Sequence, residues 1–175
     1  MVIVEGIDGT GKTSIVTELK NRGLKNVSYN YDKKTQSFAT KYFNIDLDTV
    51  KEGVSDRSFI SEVAKGNLVR GICRLSDDEY EKLLEYYGSF GTIIIYLKAN
   101  KDVLLERRKD DFDDFKMISE LYDAIDSRYD EVINIAKKYI KVYTFNTSKT
   151  TVNEIMAQID NLIFKASSKD SSEVR

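Results

Sequence analysis

The sequence predicts an α/β fold in which a central parallel sheet of about five strands lies between two layers of helices. Two short apolar runs, over residues 92–97 and 140–145, lack the polar alternation of a half-exposed strand, as expected for strands covered on both faces. Segments with helical spacing of apolar side chains alternate with the strand-like runs. Strands that alternate with helices imply right-handed crossovers, which place helices on both faces of one sheet. The prediction is therefore a three-layer α/β/α architecture.

The chain begins with a predicted strand, loop and helix. Residues 1–5 form a short apolar run, and a glycine-rich segment follows it. Apolar residues then return with helical spacing at Ile15, Val16 and Leu19, and Gly23 is expected to end this helix. A second strand is predicted over residues 26–31 and a third near residues 50–55.

The second half of the chain contains the clearest amphipathic helix. Ser76 and Glu79 have the spacing of a capping box. Apolar residues then follow at i, i+3, i+4 and i+7 before Gly88, namely Tyr80, Leu83, Leu84 and Tyr87. The remaining predicted elements are a strand over 92–97, a helix over 118–136, a strand over 140–145 and a helix over 152–163. Residues 1–165 are thus predicted to form one domain, followed by a frayed polar tail over 166–175.

The composition excludes several kinds of chemistry. The chain has 175 residues, a formal net charge of −2, one cysteine and no histidine. Without histidine, neither a Ser-His-Asp nor a Cys-His arrangement can form, and zinc sites built on histidine are excluded. Phosphoryl transfer stays open, because backbone amides, lysine, arginine and Mg²⁺ supply the positive charge that it requires.

The charge pattern and the apolar segments lead to expectations about partners and location. No basic stripe indicates binding to nucleic acid, and the longest apolar stretch, residues 93–97, is too short to span a membrane. Cys73 cannot form an internal disulfide, and the start of the sequence lacks the pattern of a signal peptide. We therefore expect a cytoplasmic protein that binds neither nucleic acid nor membranes.

A phosphate-binding motif lies between the first predicted strand and the first predicted helix. Residues 6–13, GIDGTGKT, fit the P-loop pattern G-x-x-x-x-G-K-[ST] in the context that this pattern requires. Glycines let backbone amides turn toward phosphate oxygens, and the following helix directs the positive end of its dipole to the same place. Lys12 is expected to reach the β and γ phosphates, and the Thr13 hydroxyl is expected to ligate Mg²⁺. The expected ATP-binding residues are Gly9, Thr10, Gly11, Lys12, Thr13 and Ser14. Within this set, the hydroxyls of Thr10 and Ser14 are expected to act as helix caps.

The spacing of other motifs argues against a GTPase. GTPases resemble one another in a D-x-x-G after the third strand, whereas the D-x-x-G of this chain, residues 8–11, lies inside the P-loop. Asn100-Lys101-Asp102 does not have the spacing of N-K-x-D and is expected to cap the next helix.

Two segments resemble the thymidylate kinase family. Residues 5–13, EGIDGTGKT, resemble its P-loop, which commonly has an acidic residue at the position of Asp8, and residues 56–64, DRSFISEVA, resemble its D-R-Y-x-x-S-x-x-A motif. A carboxylate at a strand end beside the P-loop, here Asp56, can hold Mg²⁺ through water. The neighbouring guanidinium of Arg57 can bridge the acceptor phosphate and the transferring phosphate. The resemblance implies that Asp8 orients the sugar of the acceptor.

Two further segments resemble this family. Lys34, in YDKKT at residues 31–35, matches in position an arginine that holds the acceptor's phosphate, so that Tyr31 and Lys34 are implied to bind substrate. Lysine neutralises a phosphate but lacks the planar fork of arginine. Similar kinases have a lid at the position of LLERRKDD, and a short lid is expected here near residues 105–116. Arg108 is the first choice, and Arg107 the second, for the arginine that closes over the phosphates.

The resemblance implies a P-loop kinase that forms a homodimer and transfers a phosphoryl group from ATP with Mg²⁺ to a nucleoside monophosphate, with dTMP as the leading acceptor. The sequence departs from the family at two places. No arginine lies between Arg22 and Arg57, where the family has a base-contacting arginine. Lys65 takes the place of a tyrosine that, in the family, is implied to sense the 2′ position of the sugar. These departures predict a permissive acceptor site.

Two alternative functions stay open at this point. A deoxynucleoside kinase would need a carboxylate base after the second strand, which Asp32 could supply. A nucleotide-binding regulator would bind nucleotides without transferring a phosphoryl group, consistent with the short segment between Lys34 and Asp56.

Overall fold

A parallel sheet runs through the described part of the chain, which in this computed structural model comprises residues 1–27, 29 and 37–163. Its strands are Val2–Gly6 (β1), Lys25–Asn26 (β2), Gly53–Asp56 (β3), Ile93–Lys98 (β4) and Lys141–Asn146 (β5). They are ordered β2-β3-β1-β4-β5, and every neighbouring pair is parallel.

Helices connect the strands and cover the sheet. They are Lys12–Asn21 (α1), Thr40–Phe43 (α2), Leu47–Glu52 (α3), Phe59–Arg70 (α4), Asp77–Ser89 (α5), Lys101–Arg107 (α6), Phe112–Ala136 (α7) and Val152–Ile163 (α8). Helices α4, α5 and α7 contribute to the core on one face of the sheet, and helices α1 and α8 contribute to the core on the other. The predicted three-layer α/β/α architecture is confirmed.

The two cores explain why the central strands are continuously apolar. In β1, Ile3 belongs to the core with α4, α5 and α7, whereas the adjacent Val4 belongs to the core with α1 and α8. Ile94 and Ile95 alternate in the same way in β4. Because successive residues of a strand point to opposite faces, a strand between two helical layers has buried side chains on both faces. These side chains are mainly apolar, and Glu5 of β1 is a buried exception.

The strand order places the P-loop where the direction of winding of the sheet reverses, between β1 and its neighbours β3 and β4. Strand β1 lies between β3 and β4, with Val2 opposite Val54 on one side and Ile93 on the other. The loops that leave the carboxyl ends of adjacent strands diverge where the winding reverses, and open α/β sheets bind ligands in that crevice. Gly6 ends β1 and Asp56 ends β3, so the P-loop and the segment after Asp56 lie at the same edge of the sheet.

The third strand begins later than the sequence predicts. Residues 50–52 belong to helix α3, because Asp46 caps this helix by accepting a hydrogen bond from the Thr49 backbone amide at 3.0 Å. The helix continues through Val50 to Glu52, and β3 starts at Gly53. A local cap thus decides a boundary that the apolar pattern does not mark.

The prediction for the second strand is tested in part. The strand is Lys25–Asn26, one residue earlier than predicted, and the Val27 backbone amide adds a hydrogen bond to the Val54 carbonyl at 2.9 Å. Ser28, Asn30 and Tyr31, within the predicted range, lie outside the described residues. The predicted tail over 166–175 also lies outside them, and the division at residue 165 stays a prediction.

The amphipathic helix has the predicted cap but a different end. Both hydrogen bonds of the capping box between Ser76 and Glu79 are present. The helix continues past Gly88 to Ser89, so Gly88 does not end it. Glycine at this position instead lets the chain before β5 pack closely against the helix. A Cβ at Gly88 would collide with the Tyr139 backbone carbonyl, just before β5. Among the described residues, no helix is long and apolar enough to cross a membrane.

Candidate phosphate-binding site

The P-loop is a tight turn between β1 and α1. Gly6 has a positive φ of 144°, and a Cβ there would collide with the Leu97 carbonyl of β4, so this position requires glycine. The Thr10 hydroxyl donates to the Ile7 carbonyl at 2.7 Å and closes the loop. The N-cap of α1 is Gly11, and no side chain caps the helix, so the expectation that Thr10 and Ser14 cap it is wrong. The first backbone amides of α1 therefore have no side-chain cap, an arrangement that suits the binding of an anion.

Lys12 lies at the mouth of this loop. Its ammonium donates to the carbonyls of Gly6 and Ile7, both at 2.9 Å, and lies 3.8 Å from an Asp8 carboxylate oxygen. Burial, followed by the positive charge of Lys65, lowers the pKa of Lys12 to about 8. A bound phosphate would favour the protonated ammonium, because an opposite charge nearby raises the pKa of a lysine.

Thr13 and Asp56 form an oxygen pair at the foot of the loop. The Thr13 hydroxyl donates to the Asp56 carboxylate at 2.9 Å, across the gap between α1 and the end of β3. Hydroxyl and carboxylate oxygens are the ligands that Mg²⁺ prefers when substrate phosphates and water complete its shell. No cluster of three or more Asp, Glu or Cys side chains suited to a metal exists in the described residues. The pair therefore fits a metal that is bound together with a phosphate.

Arg57 follows β3 with an unusual backbone conformation. Its φ is 72°, which makes it the one non-glycine residue in the left-handed region among those described. Its backbone amide donates to the Val4 carbonyl at 2.9 Å, and its carbonyl accepts from the Ser55 hydroxyl. Both contacts hold the backbone in a conformation that points the guanidinium toward Asp8, with which it forms an ion pair.

Asp8 is a buried carboxylate among cations. It is 5 % exposed, and besides Arg57 it is paired with the Lys65 ammonium at 2.7 Å. Burial, followed by the charge of Arg57, lowers the pKa of Lys65 to about 8. The Asp8 carboxylate is therefore paired with Arg57 and Lys65 in this structure, and its expected contact with the sugar of an acceptor stays a prediction.

A second buried carboxylate, Glu5, connects the P-loop strand to helix α4. It is fully buried and accepts hydrogen bonds from the Ser58 hydroxyl at 2.8 Å and the Ser61 hydroxyl at 2.5 Å. The Tyr129 hydroxyl of α7 contacts the same carboxylate at 3.4 Å. Burial outweighs these hydrogen bonds and raises the pKa of Glu5. Glu5 thus fixes the start of α4, and with it Arg57, relative to the P-loop.

The two arginines of the predicted lid lie beside the loop. The Arg107 guanidinium donates to the Gly9 carbonyl at 3.1 Å and to the Thr147 carbonyl at 2.7 Å. Arg108 packs against Gly9, where a Cβ would meet the Arg108 Cγ at 3.2 Å. The Arg108 guanidinium lies 3.4 Å from an Asp114 carboxylate oxygen. Arg107 joins the loops after β1 and β5, whereas Arg108 pairs with Asp114 and also lines the cavity beside the P-loop.

The site residues line two adjoining cavities. One, of about 490 Å³, is lined by Asp8, Gly9, Gly11, Lys12, Thr13, Ser14, Asp56, Arg57, Arg107 and Arg108. The other, of about 500 Å³, lies between the P-loop and the segment 147–152 after β5. Gly9, Gly11, Ser14 and Arg107 contribute to both. The first cavity is lined by polar and charged groups, and the second extends from it along the segment after β5.

Some predicted residues are not placed, and some residues in the site were not predicted. Tyr31 and Lys34 lie outside the described residues, as does Asp32. Sequence reasoning missed Lys65 as a partner of Asp8 and Glu5 as the connection to α4. Glu5 carried a usable signal, because a charged residue inside an otherwise apolar strand must be buried with partners.

Solved structures share this fold. The YorR protein from Bacillus subtilis, solved in complex with phosphorylated GDP, is 19% identical with a TM-score of 0.73, over 93% of this chain and 94% of its own. Deoxyadenosine kinase from M. mycoides with bound dCTP is 16% identical with a TM-score of 0.58, over 93% of this chain and 98% of its own. The chain has the fold of P-loop nucleotide kinases. Thymidylate kinase from Candida albicans is 11% identical with a TM-score of 0.56, over 95% of this chain and 91% of its own. No family model and no curated protein matches the sequence.

Proposed function

We propose that this protein transfers the γ-phosphoryl group of ATP to a nucleoside monophosphate, with dTMP as the leading acceptor. The observation that carries the proposal is the composition of the first cavity. It joins a P-loop lysine, three arginines that include Arg57 and Arg108, and the oxygen pair of Thr13 and Asp56. Phosphoryl transfer is catalysed chiefly by positioning and by positive charge around the migrating group, which this set supplies.

The residues divide into a donor side and an acceptor side. Lys12 and the amides at the start of α1 bind the β and γ phosphates of ATP. The resemblance implies that the adenine lies near residues 146–149 and the lid helix, and the second cavity is lined by residues 147–149 of that segment. Thr13 and, through water, Asp56 hold Mg²⁺. The metal would neutralise negative charge on the donor phosphates. Arg57 and Lys34 hold the acceptor's phosphate, Asp8 orients its sugar, and Arg108 moves in from the segment near residues 105–116.

The described carboxylates of the first cavity suit a monophosphate acceptor, whereas Asp32, the base that a nucleoside would need, lies outside the described residues. A nucleoside hydroxyl needs a base, whereas a phosphate monoester is already largely ionised at neutral pH. The carboxylates of the first cavity are engaged, Asp8 with Arg57 and Lys65, and Asp56 with Thr13. Among the described residues, none of these groups is placed as a base.

Two alternatives have their own support. A deoxynucleoside kinase is favoured by the shared fold of deoxyadenosine kinase, and Asp32 would then be the base. A nucleotide-binding regulator would keep the P-loop contacts without transfer. A cytoplasmic location and a homodimer stay predictions.

Acceptor-dependent formation of ADP separates the three functions. The purified protein is assayed with ATP and Mg²⁺ against each common nucleoside monophosphate, each nucleoside, and buffer alone. The proposal predicts ADP formation that depends on a monophosphate. Formation with nucleosides alone would identify a nucleoside kinase, and none with either class would leave the regulator.

A further inference from the structure

We propose that Arg70, held by the buried carboxylate of Glu62, reads the base of the acceptor and favours bases with a keto oxygen at the recognised edge. This inference rests on the proposed function. It assigns base recognition to the end of α4 and to the segment 71–74. The segment between Arg22 and Arg57, where the thymidylate kinase family has its base-contacting arginine, contains no arginine.

Glu62 is a buried carboxylate that binds two arginines. It is 5 % exposed, and its oxygens accept from the Arg70 guanidinium at 2.6 Å and from the Arg74 guanidinium at 2.7 and 3.1 Å. The Arg74 backbone amide donates a further hydrogen bond to Glu62 at 2.9 Å, the third from Arg74. Burial alone would raise the pKa of Glu62, but the hydrogen bonds from Arg74 and the charge of Arg70 outweigh it and lower the pKa. Glu62 therefore stays ionised and holds both guanidiniums in place.

The backbone around Glu62 is shaped to bring Arg74 close. A Cβ at Gly66 would meet the Ile72 carbonyl at 2.9 Å and a Glu62 carboxylate oxygen at 3.1 Å, so glycine lets the segment 72–74 pack on the helix. Gly71 ends α4 in the left-handed conformation with a φ of 71°. The Arg74 guanidinium then lies over the Phe38 ring, 3.9 Å from its centroid. Three contacts with Glu62 and one aromatic face fix Arg74.

Arg70 is held differently from Arg74. It donates through one nitrogen to Glu62, whereas Arg74 makes three contacts with the same carboxylate, although both arginine side chains are 41% exposed. A guanidinium has five N–H donors and no acceptor. It can therefore pair with acceptor atoms of a base, such as O6 and N7 of guanine or O4 of thymine and uracil. It repels the amino groups that cytosine and adenine present at the corresponding positions.

The position of this cluster fits the base of an acceptor whose phosphate lies at Arg57. Glu62 lies four residues after the N-cap Ser58, about 6 Å along the axis of α4. Lys65, one turn further on the same face as Glu62, pairs with Asp8 at the edge of the phosphate cavity. The long side chain of Arg70 folds back to the level of Glu62. The charge of Arg70 also contributes to the lowered pKa of Lys65, so the guanidinium lies near Lys65 at this edge of the cavity.

Base selectivity in Arg70→Gln tests this inference. Wild-type protein is expected to use dTMP, dUMP and dGMP with kcat/KM at least about tenfold above dCMP and dAMP, since one good arginine contact gives discrimination of this order. Arg70→Gln carries both a donor and an acceptor and should bring the five ratios within about threefold. Glu62 keeps its contacts with Arg74 in this variant, so the fold should survive, and the midpoint of thermal unfolding checks it.

The matched control is Arg22→Gln. Arg22 is also an arginine held by carboxylates, at 2.7 Å from Asp160 and 3.0 Å from Glu18, but it lies at the far end of α1. Its loss should leave all ratios unchanged. Equal ratios in wild type and Arg70→Gln, or a wild type without the keto preference, would overturn the assignment.

Equilibrium dialysis with the same five monophosphates separates this inference from the proposed function. If the protein transfers no phosphoryl group, the proposed function fails, and the binding ratios still test Arg70. Tighter binding of the keto bases that disappears in Arg70→Gln supports base reading. Binding ratios that do not differ between the two proteins contradict it.

Discussion

Replacing Asp8 with asparagine should destabilise the protein without nucleotide far more than replacing an exposed carboxylate. The Asp8 side chain is 6% exposed and is paired with Arg57 and, at 2.7 Å, with Lys65. Asp8→Asn keeps the shape of the side chain but leaves these cations without their counter-charge. Breaking a buried pair costs about 3–5 kcal/mol. We expect the lower end, because Arg57 is 43% exposed and can turn toward solvent.

A loss of about 3 kcal/mol corresponds to a decrease of roughly 6–12 °C in the midpoint of thermal unfolding for a chain of this size. The matched control is Asp160→Asn, which breaks a pair of the same length, 2.7 Å to Arg22, at a side chain that is 37% exposed. Exposed pairs contribute at most about 1 kcal/mol, so this midpoint should fall by no more than about 4 °C. Scanning calorimetry of both variants at pH 7 measures the difference.

The pH dependence gives a second test of the same variant. The pKa of Lys65 is lowered from its ordinary value of 10.5 to about 8 in the folded protein. Between these two pH values the unfolded chain therefore binds more protons than the folded protein does. Stability therefore rises with pH in this window as the folded protein avoids the buried charge. The deficit of Asp8→Asn should shrink from pH 7 to pH 9, and inorganic phosphate should also reduce it. Equal midpoints for Asp8→Asn and Asp160→Asn at pH 7 would refute the reasoning.

Three further substitutions test the roles in transfer. Lys12→Ala should lower turnover by at least ~10²-fold without loss of folding, because it removes charge aimed at the migrating group; near-parental turnover would contradict the P-loop assignment. Arg108→Ala should lower kcat while equilibrium binding of ATP hardly changes, and weaker ATP binding with an intact rate at saturation would make Arg108 a ground-state contact. Asp56→Asn should raise the Mg²⁺ concentration needed for half-maximal rate by roughly tenfold or more, and an unchanged titration would exclude Asp56 from the metal site.

The sequence predicts the elements whose signal is local. Residues 93–97 are apolar at every position because β4 is covered by both helical layers, and this pattern can be recognised without any tertiary information. The capping box of Ser76 and Glu79 and the final helix also depend on neighbours in sequence, and both are present. The start of β3 was predicted too early, since the cap at Asp46 extends a helix into the apolar residue Val50.

The contacts of the candidate site depend on tertiary structure. Asp8 and Lys65 are 57 residues apart in sequence and meet because β1 pairs with β3 and α4 packs beside them. Glu62 and Arg74 come together only because Gly66 admits the segment 72–74. A single sequence gives charges and spacings, but it does not specify which cations a buried carboxylate will contact. The residues of the motifs line one cavity beside the P-loop, as the sequence predicts, while the partners of Asp8 and Glu62 required the fold.

The fate of a label carried on the γ phosphate of ATP tests the central claim most directly. Purified protein is incubated with Mg²⁺, γ-labelled ATP and either dTMP or, in a separate reaction, thymidine. The products are separated by chromatography, with Lys12→Ala as the control. A monophosphate kinase should place one label in dTDP for each ADP formed, and the variant should form almost no labelled dTDP. Label found only in inorganic phosphate, or transferred to thymidine but not to dTMP, would contradict a monophosphate kinase.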